Sequence, residues 1–163
     1  MHKRKPKYVT HYTHLDALMA SPDKPMPQEK VRHQLIRMWE GLSALESAEN
    51  PTNEDWRMCS DAVNLMETLI VEMKVCEDAD NLLMDAITAL SMAWKRAVQG
   101  KTLRLDGKGI TSVRAILEDY AALLEVLPAR TVIMAHIRTE RRLQDILRGK
   151  RKSHDVTVQL CSS

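Results

Sequence analysis

Phenylalanine is missing from this 163-residue chain, and aromatic residues of all kinds make up only 4% of it. Glycine occurs five times and proline six. The β-branched runs that a large sheet needs are also missing, and strong helix formers dominate instead. These scarcities point to a mostly α protein. Cysteine is scarce and odd in number: Cys59, Cys76 and Cys161 match no zinc spacing and no disulfide framework. Reduced thiols in a cytoplasm are the expectation. No stretch has the apolar length of a membrane span, and none follows the basic first residues as a secretory signal requires.

What is present is enough for one core. Apolar residues make up 44% and charged residues 28%, the balance of a globular chain rather than a disordered one. The net charge of +2 conceals a segregation. Residues 1–39 hold 8 Lys/Arg against 3 Asp/Glu, a balance of +5. Residues 40–93 hold 2 against 12, a balance of −10, and residues 94–163 hold 14 against 7, a balance of +7. An acidic middle lies between two basic ends.

Apolar spacing sets out the helices. Residues 1–12 read as an extended arm, and Thr13 suits the N-cap of a short helix with Asp16 three residues on. "SPDKPMP" (21–27) has three prolines and reads as a linker. A first long helix follows from Pro27 to Ala48, with Val31, Leu35, Met38, Leu42 and Leu45 recurring on one face. Thr52 and Asp55 form a box-like start for a second, which carries Trp56, Cys59, Val63, Met66, Ile70 and Met73. Its acids belong to the same helix. After a weak break near Lys74–Asp78, Ala79, Leu83, Ala86, Leu90, Trp94 and Ala97 predict a third helix that stops at Gly100. Val113, Leu117, Tyr120 and Leu124 predict a fourth from about Ile110 to Leu127. Ile133, Ile137, Leu143, Ile146 and Leu147 predict a fifth that ends near Gly149. The expected architecture is an all-α antiparallel bundle of about five helices. Its parts are an arm, short helix and linker at 1–26, the bundle at 27–149 and a basic tail at 150–163.

Motifs of catalysis are weak. "GKT" at 100–102 lacks the second glycine of a phosphate loop, because Lys95 stands there, and it follows a helix rather than a strand. His11 and His14 are three apart, a spacing that would share a face in a helix, but a metal site needs further ligands than the nearby Asp16 and the remote Cys161. His136 lies among apolar residues and reads as an interior group. No nucleophile elbow, kinase set or distinct carboxylate pair stands out. The sequence implies no cofactor, no metal and no enzyme.

Two charged regions are better candidates. The first is an acidic partner-binding face formed by Glu54, Asp55, Asp61, Glu67 and Glu72 on the second helix and Glu77, Asp78, Asp80 and Asp85 opening the third. Such a face suits a basic partner. Acids in a first turn also stabilise a helix N-terminus, and the rest can pair with the chain's own cations. The second candidate is nucleic-acid binding by Lys3, Arg4, Lys5, Lys7, Tyr8 and Tyr12 together with Arg138, Arg141, Arg142 and Arg148. "LEVLPARTVIM" gives little support for a helix-turn-helix, since its turn lacks the usual glycine. Several methionines, Met84 and Met92 among them, suit an adaptable binding surface if exposed.

The words "KRKPKYVTHYTHLDAL", "WEGLSAL", "PTNEDWRMCSDAVNLMETL" and "GKTLRLDGKGITSVRAILEDYAALL" resemble a group of small helical proteins carried by phages, prophages and plasmids of proteobacteria. The resemblance covers about residues 3–150 and includes no catalytic motif. It implies a mobile-element protein of the bacterial cytoplasm. By analogy it also implies a protein that binds and modulates or inhibits a host protein or ribonucleoprotein complex, as anti-CRISPR and other anti-defence inhibitors do. The alternative is a nucleic-acid-binding regulator that uses the basic arm and fifth long helix. Self-association through a bundle face is a third reading.

Overall fold

Side-chain oxygens close three of the helix starts in this computed structural model, which describes residues 11–149. Thr13 caps α1 (His14–Met19) and Thr52 caps α3 (Asn53–Glu67), each in a box with the aspartate three residues on. Asp106 caps α5 (Gly107–Val126) by accepting from the Gly109 N–H at 2.6 Å. The other helices are α2 (Gln28–Ser47), α4 (Leu83–Val98) and α6 (Ala129–Leu147). The described residues thus form an all-helical bundle with five long helices and one short one.

Four expectations about boundaries need correction. The third long helix begins at Leu83 rather than Ala79, which is exposed in the preceding loop. Lys74 (φ 52°) and Asn81 (φ 54°) adopt left-handed backbone there, which breaks helical continuity. Asp78 then accepts from the Leu82 and Leu83 N–H groups at 2.9 and 3.0 Å, so α4 gets its first-turn acceptor from the loop. Cys76 lies in that loop. Before the loop, α3 widens into a π-helical turn over Thr68–Glu72, so Met73 falls past the helix end. At "GKTLRLDGKG", Leu103 and Leu105 are buried and the Leu105 N–H donates to the Leu45 carbonyl at 2.9 Å, but this piece pairs with no strand. It leads into α5 three residues earlier than expected.

Helix α3 is the centre of the bundle, packed on α2, α4, α5 and α6. Trp56, Cys59, Val63, Leu65 and Met66 are all buried on it, along with Ser60 and Asn64. Trp56 packs against Trp94 with ring centres 4.7 Å apart and planes tilted by 42°, and it donates its indole N–H to the Leu90 carbonyl at 2.9 Å. Gly41 on α2 permits the close approach to α3, because a Cβ there would lie 2.6 Å from the Asp55 carbonyl oxygen. The Cys59 thiol faces the Met38 carbonyl at 3.8 Å, so α2 and α3 run antiparallel.

The chain before α2 is held against α6. Ala17 packs with Ile133 and Ile137. Arg130 donates from Nε and Nη2 to the Ala17 and Leu18 carbonyls, each at 3.0 Å, which satisfies the free C-terminal end of α1. The opposite side of α1 carries Leu15, Leu18 and Met19, all exposed.

Candidate ligand cavity and acidic edge

Because α2 and α6 both flank α3, an open cavity of about 630 Å³ lies between them. From α3 it receives Arg57, Met58, Asp61 and Leu65, residues of consecutive turns on one side of the helix. Lys30, Gln34 and Arg37 border it from α2, Tyr120 from α5, and His136 and Leu143 from α6. Tyr12, just ahead of α1, closes one side, and its ring lies 5.0 Å from that of His136 at 53°.

Asp61 lines the cavity and is exposed to water. Desolvation pushes its carboxyl up to about 6, with Arg57 pulling it down and Glu54 adding to the rise. Burial holds His136 down to about 4, so its imidazole is neutral at neutral pH. Tyr120 is fully buried and its oxygen accepts from Gln34 Nε2 at 3.0 Å. Its ionisation is pushed well up by burial, as is that of Tyr12, first by burial and then by Asp16. The cavity therefore combines one carboxylate poised near neutrality with neutral aromatic donors and acceptors.

The predicted acidic face divides into four sets. Asp55 and Asp78 serve helix starts, with Asp55 accepting from the Thr52 N–H at 2.7 Å. Glu67 and Glu72 turn inward to Arg142 at 2.5 and 3.4 Å. That guanidinium is only 7% exposed and also donates to the Asn64 carbonyl at 2.9 Å and the Thr68 hydroxyl at 3.3 Å. It thereby braces the π-helical turn. Glu54 pairs with Arg37 at 3.6 Å beside the cavity, where Asp61 also sits. Glu77, Asp80 and Asp85 are exposed away from the cavity. They gain company that sequence order hid. Burial and then Asp80, Asp78 and Glu118 hold the Asp119 carboxyl above its usual range, so these acids crowd together where the loop meets α5. Burial and Asp119 raise the Cys76 thiol there. Exposed Val71, Val75 and Met84 belong to the same stretch of chain. The result is an acidic edge where Asp78 and Asp80 meet Glu118 and Asp119, with the exposed apolar residues on the adjoining chain.

The basic candidates separate as well. Lys3, Arg4, Lys5, Lys7 and Tyr8 lie outside the described residues, as do Cys161 and the tail at 150–163. Arg138 and Arg141 are exposed on α6 and Arg148 just past its end, whereas Arg142 is enclosed by its acids. Glu72 and Asp145 line the same small recess as Arg138 and Arg141. His11 meets Glu140 at 2.7 Å, so the start of the described chain already has a carboxylate partner on α6. His14 is exposed, and no group of three or more metal-ligating side chains occurs among the described residues. No helix of the described residues is long and apolar enough to cross a membrane.

No family model, curated protein or solved structure matches this chain.

Proposed function

We propose that this is a non-enzymatic interaction protein of a phage or related mobile element that binds a host protein or ribonucleoprotein complex and modulates or inhibits it, in the manner of an anti-CRISPR or other anti-defence protein. The observation that carries the binding part is the outward edge where Asp80 meets Glu118 and Asp119, with exposed Val75, Met84 and Asp85 on the adjoining chain. A mainly acidic surface with exposed apolar side chains on the adjoining chain suits a basic protein surface. The flexible thioether of Met84 adapts to such a surface. The mobile-element part rests on the resemblance in the sequence. The non-enzymatic part rests on the sequence, which has no catalytic motif. Nucleic-acid binding is less favoured, since Arg142 is occupied and acids intersperse the remaining arginines.

Affinity capture from a proteobacterial lysate tests this reading. The wild-type chain is compared with Asp80→Lys/Asp85→Lys/Glu118→Lys, whose changes spare every capping and buried acid. The expected result is a defined complex captured by the wild type, weakened by salt and absent with the variant. Equal capture by both chains removes the acidic edge from the mechanism.

A further inference from the structure

Helix α1 turns its larger apolar side chains away from the protein. Leu15, Leu18 and Met19 are 63%, 71% and 79% exposed, while only Ala17 is buried. Spacings of three and four put the exposed three on one stripe, with His14 and Asp16 about 100° to either side of Leu15. Among the described residues no other stretch of five carries three exposed large apolar side chains. The orientation is fixed from the opposite side. Arg130 holds the Ala17 and Leu18 carbonyls, and the Thr13–Asp16 box holds the first turn. The Ala129 and Arg130 N–H groups then donate to the Lys24 and Ser21 carbonyls at 2.8 and 3.0 Å. The fold therefore presents this stripe to its surroundings.

Size and charge favour one occupant. Three such side chains fall well short of the ~800 Å² per partner that a stable protein complex buries, so a second copy would gain too little from this stripe. A bilayer boundary accepts a convex apolar stripe without a matching groove. Lys3, Arg4, Lys5 and Lys7 precede the helix with no acid before Asp16, and the chain from Lys7 to Leu15 spans at most about 30 Å. We propose that α1 docks on an anionic lipid surface, with Leu15, Leu18 and Met19 entering the boundary of headgroups and acyl chains and the four preceding cations meeting lipid phosphates. A helix of six residues is too short to hold a bilayer by apolar burial alone, and four cations alone give a salt-sensitive attraction. Together they supply the two signals that stable anchoring takes. The nearby acids leave the balance positive: residues 1–24 hold 5 Lys/Arg against 2 Asp/Glu, and Glu140 is met by His11. This site shares no residue with the acidic edge and stands or falls separately.

Co-sedimentation of the full chain with lipid vesicles is the test. Vesicles of phosphatidylglycerol mixed with phosphatidylethanolamine are compared with vesicles of phosphatidylcholine at about 0.1 M salt. The chain is expected on the anionic vesicles, less so as salt is added, and not measurably on the neutral ones. Leu15→Ser/Leu18→Ser/Met19→Ser should weaken this binding by roughly tenfold or more. Lys3→Ala/Lys5→Ala should also weaken it by roughly tenfold or more, at about fivefold per cation. The three serine substitutions replace solvent-facing side chains, and thermal melts of both variants at the wild-type temperature or above separate lost binding from lost fold. No binding to anionic vesicles, unchanged binding after the serine substitutions, or equal binding to phosphatidylcholine would each overturn the proposal. A dimer in light scattering that the serine substitutions dissolve, without vesicle binding, would assign the stripe to a second copy instead.

Discussion

Arg142, Asp61 and His136 show how much the surroundings of one side chain decide its role. Arg142 reads in the sequence as one of several cations on a basic helix, yet it is enclosed with Glu67 and Glu72. A buried pair contributes modestly as a whole, but removing one partner strands the other. Arg142→Met is therefore expected to cost about 3–5 kcal/mol in chemical denaturation, and adding Glu67→Gln should recover part of it. Asp61 and His136 make opposite contributions to pH dependence. The Asp61 pKa is raised to about 6 in the folded chain, so its contribution is present below the ordinary aspartate range and lost as pH rises through 6. The His136 pKa is depressed to about 4, so its contribution is present above the ordinary 6.5 and lost as pH falls from there through 4. The His136 share is at most about 3 kcal/mol. Melting curves between pH 4 and 7 check both signs. Asp61→Asn should melt higher than wild type at pH 7, with the difference gone at pH 4. His136→Gln should lose the wild-type decline on acidification from 6.5.

At the scale of the element, apolar periodicity carried the helices well and the breaks between them poorly. Trp56, Cys59, Val63 and Met66 recur at helical spacing, and all four are buried on α3. Thr13 and Thr52 were recognisable as caps because their aspartate partners are three residues away. The π-helical turn was not legible, since its brace, Arg142, lies some 70 residues further on. The left-handed Lys74 and Asn81 were hidden for a related reason: neither is the glycine that usually marks such backbone. Gly41 shows the opposite case. It stands inside a helix, where glycine is unfavourable, and contact with α3 explains it. Gly41→Ala places a methyl against the Asp55 backbone carbonyl and should cost roughly 1–3 kcal/mol by overpacking. Urea denaturation reads this directly, and a neutral result would mean that α2 shifts freely on α3.

For the whole molecule, segregated charge was visible in the sequence but its meaning depended on the fold. Because α3 is central, few of its positions face outward, and its acids go to a cap, a buried arginine and a cavity. The outward negative surface moves to the loop before α4 and gains Glu118 and Asp119 from α5. The cavity was equally hidden, for it joins Tyr12, Lys30, Asp61, Tyr120 and His136 from five separate parts of the chain. No spacing along the sequence relates them. What the sequence did carry across was the class of architecture and the contrast between acidic middle and basic ends.

Hydrogen exchange of the full chain, alone and with the complex it captures, tests the central claim that a basic partner docks on the acidic edge. Amides of residues 71–85 and of the α5 turn around Glu118 and Asp119 should gain protection, while exposed α6 around Arg138 and Arg141 stays unchanged. Protection confined to α6, with residues 71–85 exchanging as in the free chain, would contradict it.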